Sequence, residues 1–242
     1  MRSMAHPQPR YRLADHVRAC RVGGQIVMLD LNTSRYTGLA GSAVSSVLPE
    51  SNTWPRQVGR ASLAWNSHEL PSGMTSWIGQ GLLVDRTSSS PPAPLLAEPL
   101  ESLNLVGSDL HIPPGCRHVI SLWASAAVAS SWLRRRSLAQ IAGHVDRLRK
   151  RPPSYTDSVT APLQAAVIAY LRARPFALTA HDRCLLDSLA LIRFLAAKGF
   201  YPQWVIGVAT SPFAAHSWVQ CGHVVLNDAH ENVRRHQPIL VV

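Results

Sequence analysis

Residues 179–199 read TAHDRCLLDSLALIRFLAAKG. The stretch has the form of one helix. Thr179 fits an N-cap, and Asp182, three residues on, fits the reciprocal position of a capping box. Leu185, Leu189, Ile192 and Ala196 recur at helical spacing as one apolar stripe. Gly199 stands where helices take a left-handed closing residue. Cys184 then falls in the second turn, near the positive end of the helix dipole, which favours thiolate. Taken alone, such a cysteine is more often a small buried apolar residue than a nucleophile. The rest of the chain decides whether a base is supplied.

The chain has 242 residues, enough for one large domain or two small ones. Its start, MRSMAHPQPR, has charge but no apolar run behind it, so no signal segment is expected. The most apolar segment, Val119 to Leu133, is short for a bilayer and carries Ser121, Ser125, Ser130 and Ser131; a buried helix fits it better. Cys20, Cys116, Cys184 and Cys221 are spread out with no CxxC pair, which argues against a disulfide scaffold and a zinc site. A reducing, cytoplasmic setting fits, and no cofactor or metal is expected. The net charge of +10 suggests an acidic partner or simply a basic soluble surface. Much of it sits in Arg134–Arg136 and in RLRKR at 147–151, clusters that also suit helix C-termini.

Taken in order, residues 11–38 read as three short strands. Val17 to Val22 meets Gly23-Gly24, a hairpin signal; Gln25 to Leu31 follows, then Arg35 to Gly38. Ala40, Ala43, Val44, Val47 and Leu48 have helical spacing, and Pro49 stops that helix. Residues 54–66 are ambiguous, a second helix being one reading. Thr75 to Gln80 suggests a third helix, and Gly81 to Val84 a closing strand. Strands, then helices, then a strand make a winged-helix-like pattern. From Thr87 to Pro99 serine and proline dominate (TSSSPPAPLLAEP), the composition of a linker. The domain division expected is therefore 1–86, a linker at 87–99, and 100–242.

The second part begins helical. Helices are expected over Val119–Leu133, from Ser137 with Leu138, Ile141, Val145 and Leu148 on one face, and from Thr160 as cap with Leu163, Ala166, Val167, Tyr170 and Leu171 as the stripe. Pro175 ends the third, and the Cys184 helix follows. After Gly199 the pattern turns to strands: Gln203–Ala209, His216–Gln220 and Val224–Asp228. The fold class is thus α+β, with a helical part and a small antiparallel sheet behind the front domain.

Cysteine at a helix start, then a strand with His216, then a strand with Asp228, is an order that carries chemistry. A strict two-residue loop in the last hairpin sends Asp228 to the face away from His216. A three-residue loop, Cys221 to His223, sets the two directly opposite, with Cβ atoms about 4.5–5.5 Å apart. The three-residue loop is therefore expected. His216 then takes the thiol proton and later protonates a leaving amine, while Asp228 fixes the imidazole. The helix N-terminus offers the Cys184 backbone N–H to an oxyanion. No second donor is evident; Arg183 and His181 are weak options. Each residue alone also has a bland reading, since the chain holds eleven histidines and Asp228 suits a turn.

Residues 184–228, with RCLLDSLALIRFLAAKGFYP, AHSWVQ and VLND, resemble the transglutaminase-like cysteine peptidases of lasso-peptide biosynthesis. The order and spacing of Cys184, His216 and Asp228 are similar to that family's triad. The likeness runs more loosely back to about residue 115. Residues 11–86, above all VGGQIVMLDLNTSRYTGLAG, resemble the PqqD-type leader-binding domain that some members carry in front. The chain departs from the pattern at 100–118, with Pro113-Pro114, and at Gln220, where many relatives carry an acidic residue.

The resemblance implies a transglutaminase- or papain-like second domain that cuts the leader from a ribosomally made precursor peptide, freeing an amine. A partner cyclase of the asparagine-synthetase type then closes that amine onto a side-chain carboxyl. It also implies that the leader adds as a strand beside Ser34, Arg35, Tyr36, Thr37, Gly38 and Leu39, with backbone bonds giving affinity and pockets giving specificity. Tyr36 and Leu39 serve equally well as core packing. Three other readings stay open: acyl transfer to an amine through the same thioester, a non-catalytic leader-binding scaffold, and a winged-helix nucleic-acid binder. The last needs basic residues on the third front helix, and residues 75–84 have none. Neither nucleic acid nor membrane is an expected partner.

Overall fold

The computed structural model of the chain describes residues 11–40, 54, 56–58, 74–85, 93–103, 114–148, 158–178 and 184–242. Ala40, expected to open the front helix, is strand instead, and the rest of that helix over 41–48, most of 54–66, the serine-rich part of the linker, the RKR end of the second basic cluster, and Thr179, His181, Asp182 and Arg183 lie outside the described residues.

The front region holds the expected three strands, β2 (Val17–Val22), β3 (Gln25–Asp30) and β4 (Arg35–Ala40), in one antiparallel sheet of that order. A short strand that the sequence did not suggest, β1 (Tyr11–Leu13), pairs antiparallel with β6 (Leu83–Asp85), the expected closing strand. Between them in sequence, β5 (Arg56–Gln57) is a strand, not a helix, and α1 (Met74–Gly79) is the expected third helix.

The near-continuous apolar run of β3 reflects burial on both faces. Ile26 and Met28 turn to a small cluster with Val17, Ala19, Trp77, Leu82 and Leu83. Val27 and Leu29, with Cys20 across the sheet, turn the other way and join the main core. The Ala139 N–H at the head of α3 (Leu138–Leu148) donates to the Leu31 carbonyl at 2.9 Å, tying the first helices to the end of β3.

The described part of the expected linker, 93–99, lies against the main sheet. There β7 (Leu95–Leu96) pairs with β5, and Leu96 is fully buried with Val205 and Trp218. Apolar Leu95-Leu96 is the reason: such a pair gains more from burial than from solvent.

The helices are α2 (Cys116–Arg135), α3, α4 (Ala161–Ala173) and α5 (Cys184–Ala196), with a 3₁₀ turn at Arg174–Phe176 where Pro175 stops α4. Thr160 is the N-cap of α4, but its side chain makes no capping bond. Of the expected stripe on α5, Leu189 and Ile192 are buried while Leu185 and Ala196 are only partly so. Leu186 through Ile192, Phe194 and Leu195 are all buried, so the helix is enclosed nearly all round by α2, α4 and the sheet. It closes as expected: Gly199 has φ +85°, its N–H meets the Ala196 carbonyl, and the Phe200 N–H meets that of Leu195.

The sheet is larger and less uniform than a small antiparallel one. Its order is β12 (Gln237–Val241), β9 (Gln203–Thr210), β10 (Phe213–Cys221), β11 (Val224–Val225) and β8 (Glu101–Ser102). The last pair is parallel. A short helix, α6 (His230–Val233), links β11 to β12. Among the described residues no helix is long and apolar enough to cross a membrane.

Candidate active site

The β10–β11 turn departs from expectation, and the departure builds the site. Gln220 pairs with Val225 and Cys221 with Val224, so the turn is Gly222-His223, with Gly222 at φ +56°. One more backbone bond, from the Leu226 N–H to the Val219 carbonyl at 2.9 Å, ends the ladder, and Asp228 is not a cross-strand neighbour of His216. That place belongs to Gly207 on β9. Past Val225 the edge of β10 lacks a strand, and side chains fill the role. The Val219 N–H donates to Asn227 Oδ1 at 2.9 Å. The Ser217 N–H donates to the Cys184 sulfur.

Cys184 opens α5 at this edge. Its thiol is half-buried and hydrogen-bonds His216. That bond holds the thiol below its ordinary value against burial, which pushes it up; the charge of His216 and the N–H groups of Ser217 and Leu185 assist. His216 Nε2 meets Asp228 Oδ2, leaving Nδ1 for the thiol. The Asp228 bond, then the Cys184 bond, push the imidazole up to about 9 against burial. Burial pushes the Asp228 carboxyl up, but His216, the Ala229 N–H and Asn232 together carry it below its usual value. Thiolate beside imidazolium is the favoured pairing. The structure thus brings Cys184, His216 and Asp228 together.

Several contributors escaped the sequence reading. Asn232, one turn beyond Asp228 on α6, donates to Asp228 Oδ2 at 3.1 Å. His216 stacks on Trp218, with ring centroids 6.2 Å apart, and His236 tilts against it at 5.1 Å. Gly207 is the space these rings need. A Cβ there would lie 2.8 Å from the Trp218 ring and 2.9 Å from the His236 Cβ.

Beneath the thiol, Ser188 Oγ donates to the carbonyls of Cys184 and Ser217, coupling helix to strand. Asp187 is 4 % exposed. Its Oδ1 accepts from Tyr170 at 2.8 Å and pairs with Arg174 at 3.1 Å. Its Oδ2 accepts from Asn227 Nδ2 at 2.9 Å. Asp187 therefore links the helix bearing Cys184 to the loop bearing Asp228. An acidic residue on a helix with leucines at nearly every neighbouring position is the one sequence sign of this network.

Gln220, a departure from the resembled family, is fully buried. Its amide donates to Ala97 and Gly222 carbonyls and its oxygen accepts from Trp218, so it holds the 93–103 segment to the turn. Of the expected leader-binding residues, Tyr36 packs against the main core and meets the Phe213 ring edge to face at 5.4 Å. Ser34 has φ +58° in the turn before β4, which is an edge strand among the described residues. Among those residues no group of three or more His, Cys, Asp or Glu side chains could hold a metal.

Residues 123–241 match the model of the transglutaminase-like superfamily, and Cys184, His216 and Asp228 all lie within that stretch. The microcin J25-processing protein McjB of Escherichia coli is 50% identical over 46 residues, 19% of this chain. The match spans about a fifth of that relative, 22% of its length. No solved structure matches the chain.

Proposed function

We propose that the protein is a cysteine endopeptidase of lasso-peptide maturation, which binds a precursor's leader and cuts it from the core. The observation that carries this reading is the meeting of Cys184, His216 and Asp228 at one edge of β10, within the stretch that matches the transglutaminase-like superfamily. The Cys184 thiolate attacks the scissile carbonyl carbon. The oxyanion gathers at the Cys184 N–H, at the end of α5 where a helix presents backbone donors. His216 gives its proton to the departing amine, and the C–N bond breaks to leave an acyl-thioester. Water then attacks, His216 accepts its proton, and the leader leaves as a free acid. Asp228 keeps the ring oriented throughout.

Residues 1–86 serve leader binding in this proposal, with Ser34, Arg35, Tyr36, Thr37, Gly38 and Leu39 along β4 as the edge to which a leader strand adds. Residues 87–99 connect to a peptidase domain at 100–242. The freed amine passes to an asparagine-synthetase-like cyclase in the cytoplasm. The partial likeness to McjB supports this assignment.

Incubating the protein with its precursor and weighing the products tests it. A leader acid and a core with a free amine support cleavage. A leader joined to an added amine points to acyl transfer, and an unchanged precursor that still binds points to a scaffold.

A further inference from the structure

Asp228, Asn232 and His236 fall four residues apart, along and just beyond the short helix α6. Residues so spaced meet on one side of a helical turn. The helix is well seated for its length. The His230 N–H donates to Ser102 Oγ at 2.8 Å, and Val233 is buried with Leu96, Trp218 and Val225.

From this seat two contacts reach the relay. Asn232 Nδ2 donates to Asp228 Oδ2 at 3.1 Å, the same oxygen that meets His216 Nε2. The Ala229 N–H holds Oδ1 at 2.7 Å. Both oxygens are thus bonded, which fixes the plane of the carboxylate. The second contact runs through the backbone: the Asn232 carbonyl accepts from His236 Nδ1 at 3.1 Å. A carbonyl only accepts, so Nδ1 carries the proton. The His236 ring so placed lies 5.1 Å from the His216 ring, tilted by 35°. The contacts close on themselves: Asp228 to Asn232, Asn232 to His236, His236 to His216, and His216 back to Asp228.

Bonds at its two nitrogens give the imidazole of His216 a direction but leave it free to swing about the line joining its partners. Neighbouring rings stop that swing. Trp218 is one, fully buried and held by Gln220 at 3.0 Å. His236 is the other, brought from a separate element into the room that Gly207 leaves opposite His216. A ring beside an imidazolium serves best uncharged, since like charges repel. Burial first, with the charges of His216 and Arg235, carries His236 below its ordinary value, against the Asn232 bond and the charge of Asp228.

We infer that Asn232 and His236 are positioning residues for the nucleophile: Asn232 aims Asp228 at the imidazole, and His236, seated by the Asn232 carbonyl, keeps that ring in line with the thiol. The inference rests on the reading of Cys184 as nucleophile and holds for hydrolysis and acyl transfer alike.

The test follows alkylation of Cys184 by iodoacetamide, located by peptide mass, from about pH 6 to about pH 10. Alkylation needs thiolate. At the acid end an ordinary thiol is almost wholly protonated, so reaction there reports the thiolate that an aligned His216 maintains. At the alkaline end every accessible thiol is ionised, and the rate reports access and folding. Asn232→Ala and His236→Ala should each slow the reaction about tenfold at the acid end, the scale of one hydrogen bond to a charged group. At the alkaline end they should react no slower than wild type, because an ordinary thiolate is the better nucleophile. His236→Phe, which restores a ring, should recover most of what His236→Ala loses.

Variants as fast as wild type at the acid end would overturn the positioning role. So would equal slowing at both ends, which a general loss of structure produces. A His236→Phe protein as slow as His236→Ala would overturn the part given to the His236 ring. A wild-type Cys184 that titrates as an ordinary thiol would overturn the nucleophile reading itself, and the positioning role with it.

Discussion

Asn227→Ala tests how the helix that carries the nucleophile is registered to the loop that carries Asp228. The side chain bonds in two directions: its oxygen accepts from the Val219 N–H and its amide donates to Asp187 Oδ2, each at 2.9 Å. Truncation leaves both groups unsatisfied in buried surroundings. Such a group costs about 1–3 kcal/mol. Asp187 keeps Tyr170 and Arg174 on its other oxygen, so the expected loss is about 2–5 kcal/mol, a large part of the 5–15 kcal/mol typical of a folded domain. Urea unfolding followed by tryptophan fluorescence reads it directly.

A double-mutant cycle with Asp187→Ala isolates the bond between the two residues. A hydrogen bond to a charged group contributes about 1.5–3 kcal/mol, and that is the coupling expected. The variant that folds should also lose activity, because Asp228 is the next residue in the chain. Additivity of the two substitutions within about 0.5 kcal/mol would refute the link.

Activity should follow a bell in pH. Its acid limb lies where the thiolate takes a proton, below the ordinary cysteine range, because His216 lowers that thiol. Its alkaline limb lies at about 9, where His216 loses the proton it must donate. Asp228→Asn removes the largest influence raising the imidazole, so that limb should move down; an unmoved limb in the pH–rate profile would count against the relay. Gly207→Ala should cost about 1–3 kcal/mol in urea unfolding by overpacking the Trp218 ring, with a lower cleavage rate as His216 shifts with it.

Much of the fold was legible because periodicity and punctuation agree with it. Gly23-Gly24 marks the first hairpin, Gly199 the end of α5, and the stripes at 138–148 and 161–173 their helices. The three site residues were legible as an order along the chain, but the geometry joining them was not. Sequence spacing allowed two turn lengths and could not show that β11 would stop after two residues. The thiol and Asn227 take over the edge of β10 that a longer strand would have covered. The stripe on α5 was misplaced because a helix enclosed nearly all round has too little polar face to define its period. Asp187 gave no reading of its own in the sequence, because its partners Tyr170, Arg174 and Asn227 come from distant stretches. The sharing of one core by front sheet and main sheet was hidden in β3, whose unbroken apolar run marks burial on both faces without naming what covers them.

The central claim is that Cys184 carries the leader as an acyl-thioester on the way to a free acid. Acid-quenched intact-mass measurement of the protein mixed with its precursor reads that species directly. The account predicts an adduct of the leader's mass on Cys184 in the wild-type protein, decaying as leader acid appears, and neither adduct nor cleavage in Cys184→Ala. A Cys184→Ala protein that cuts the precursor at the wild-type rate, or an adduct that carries the core in place of the leader, would contradict it.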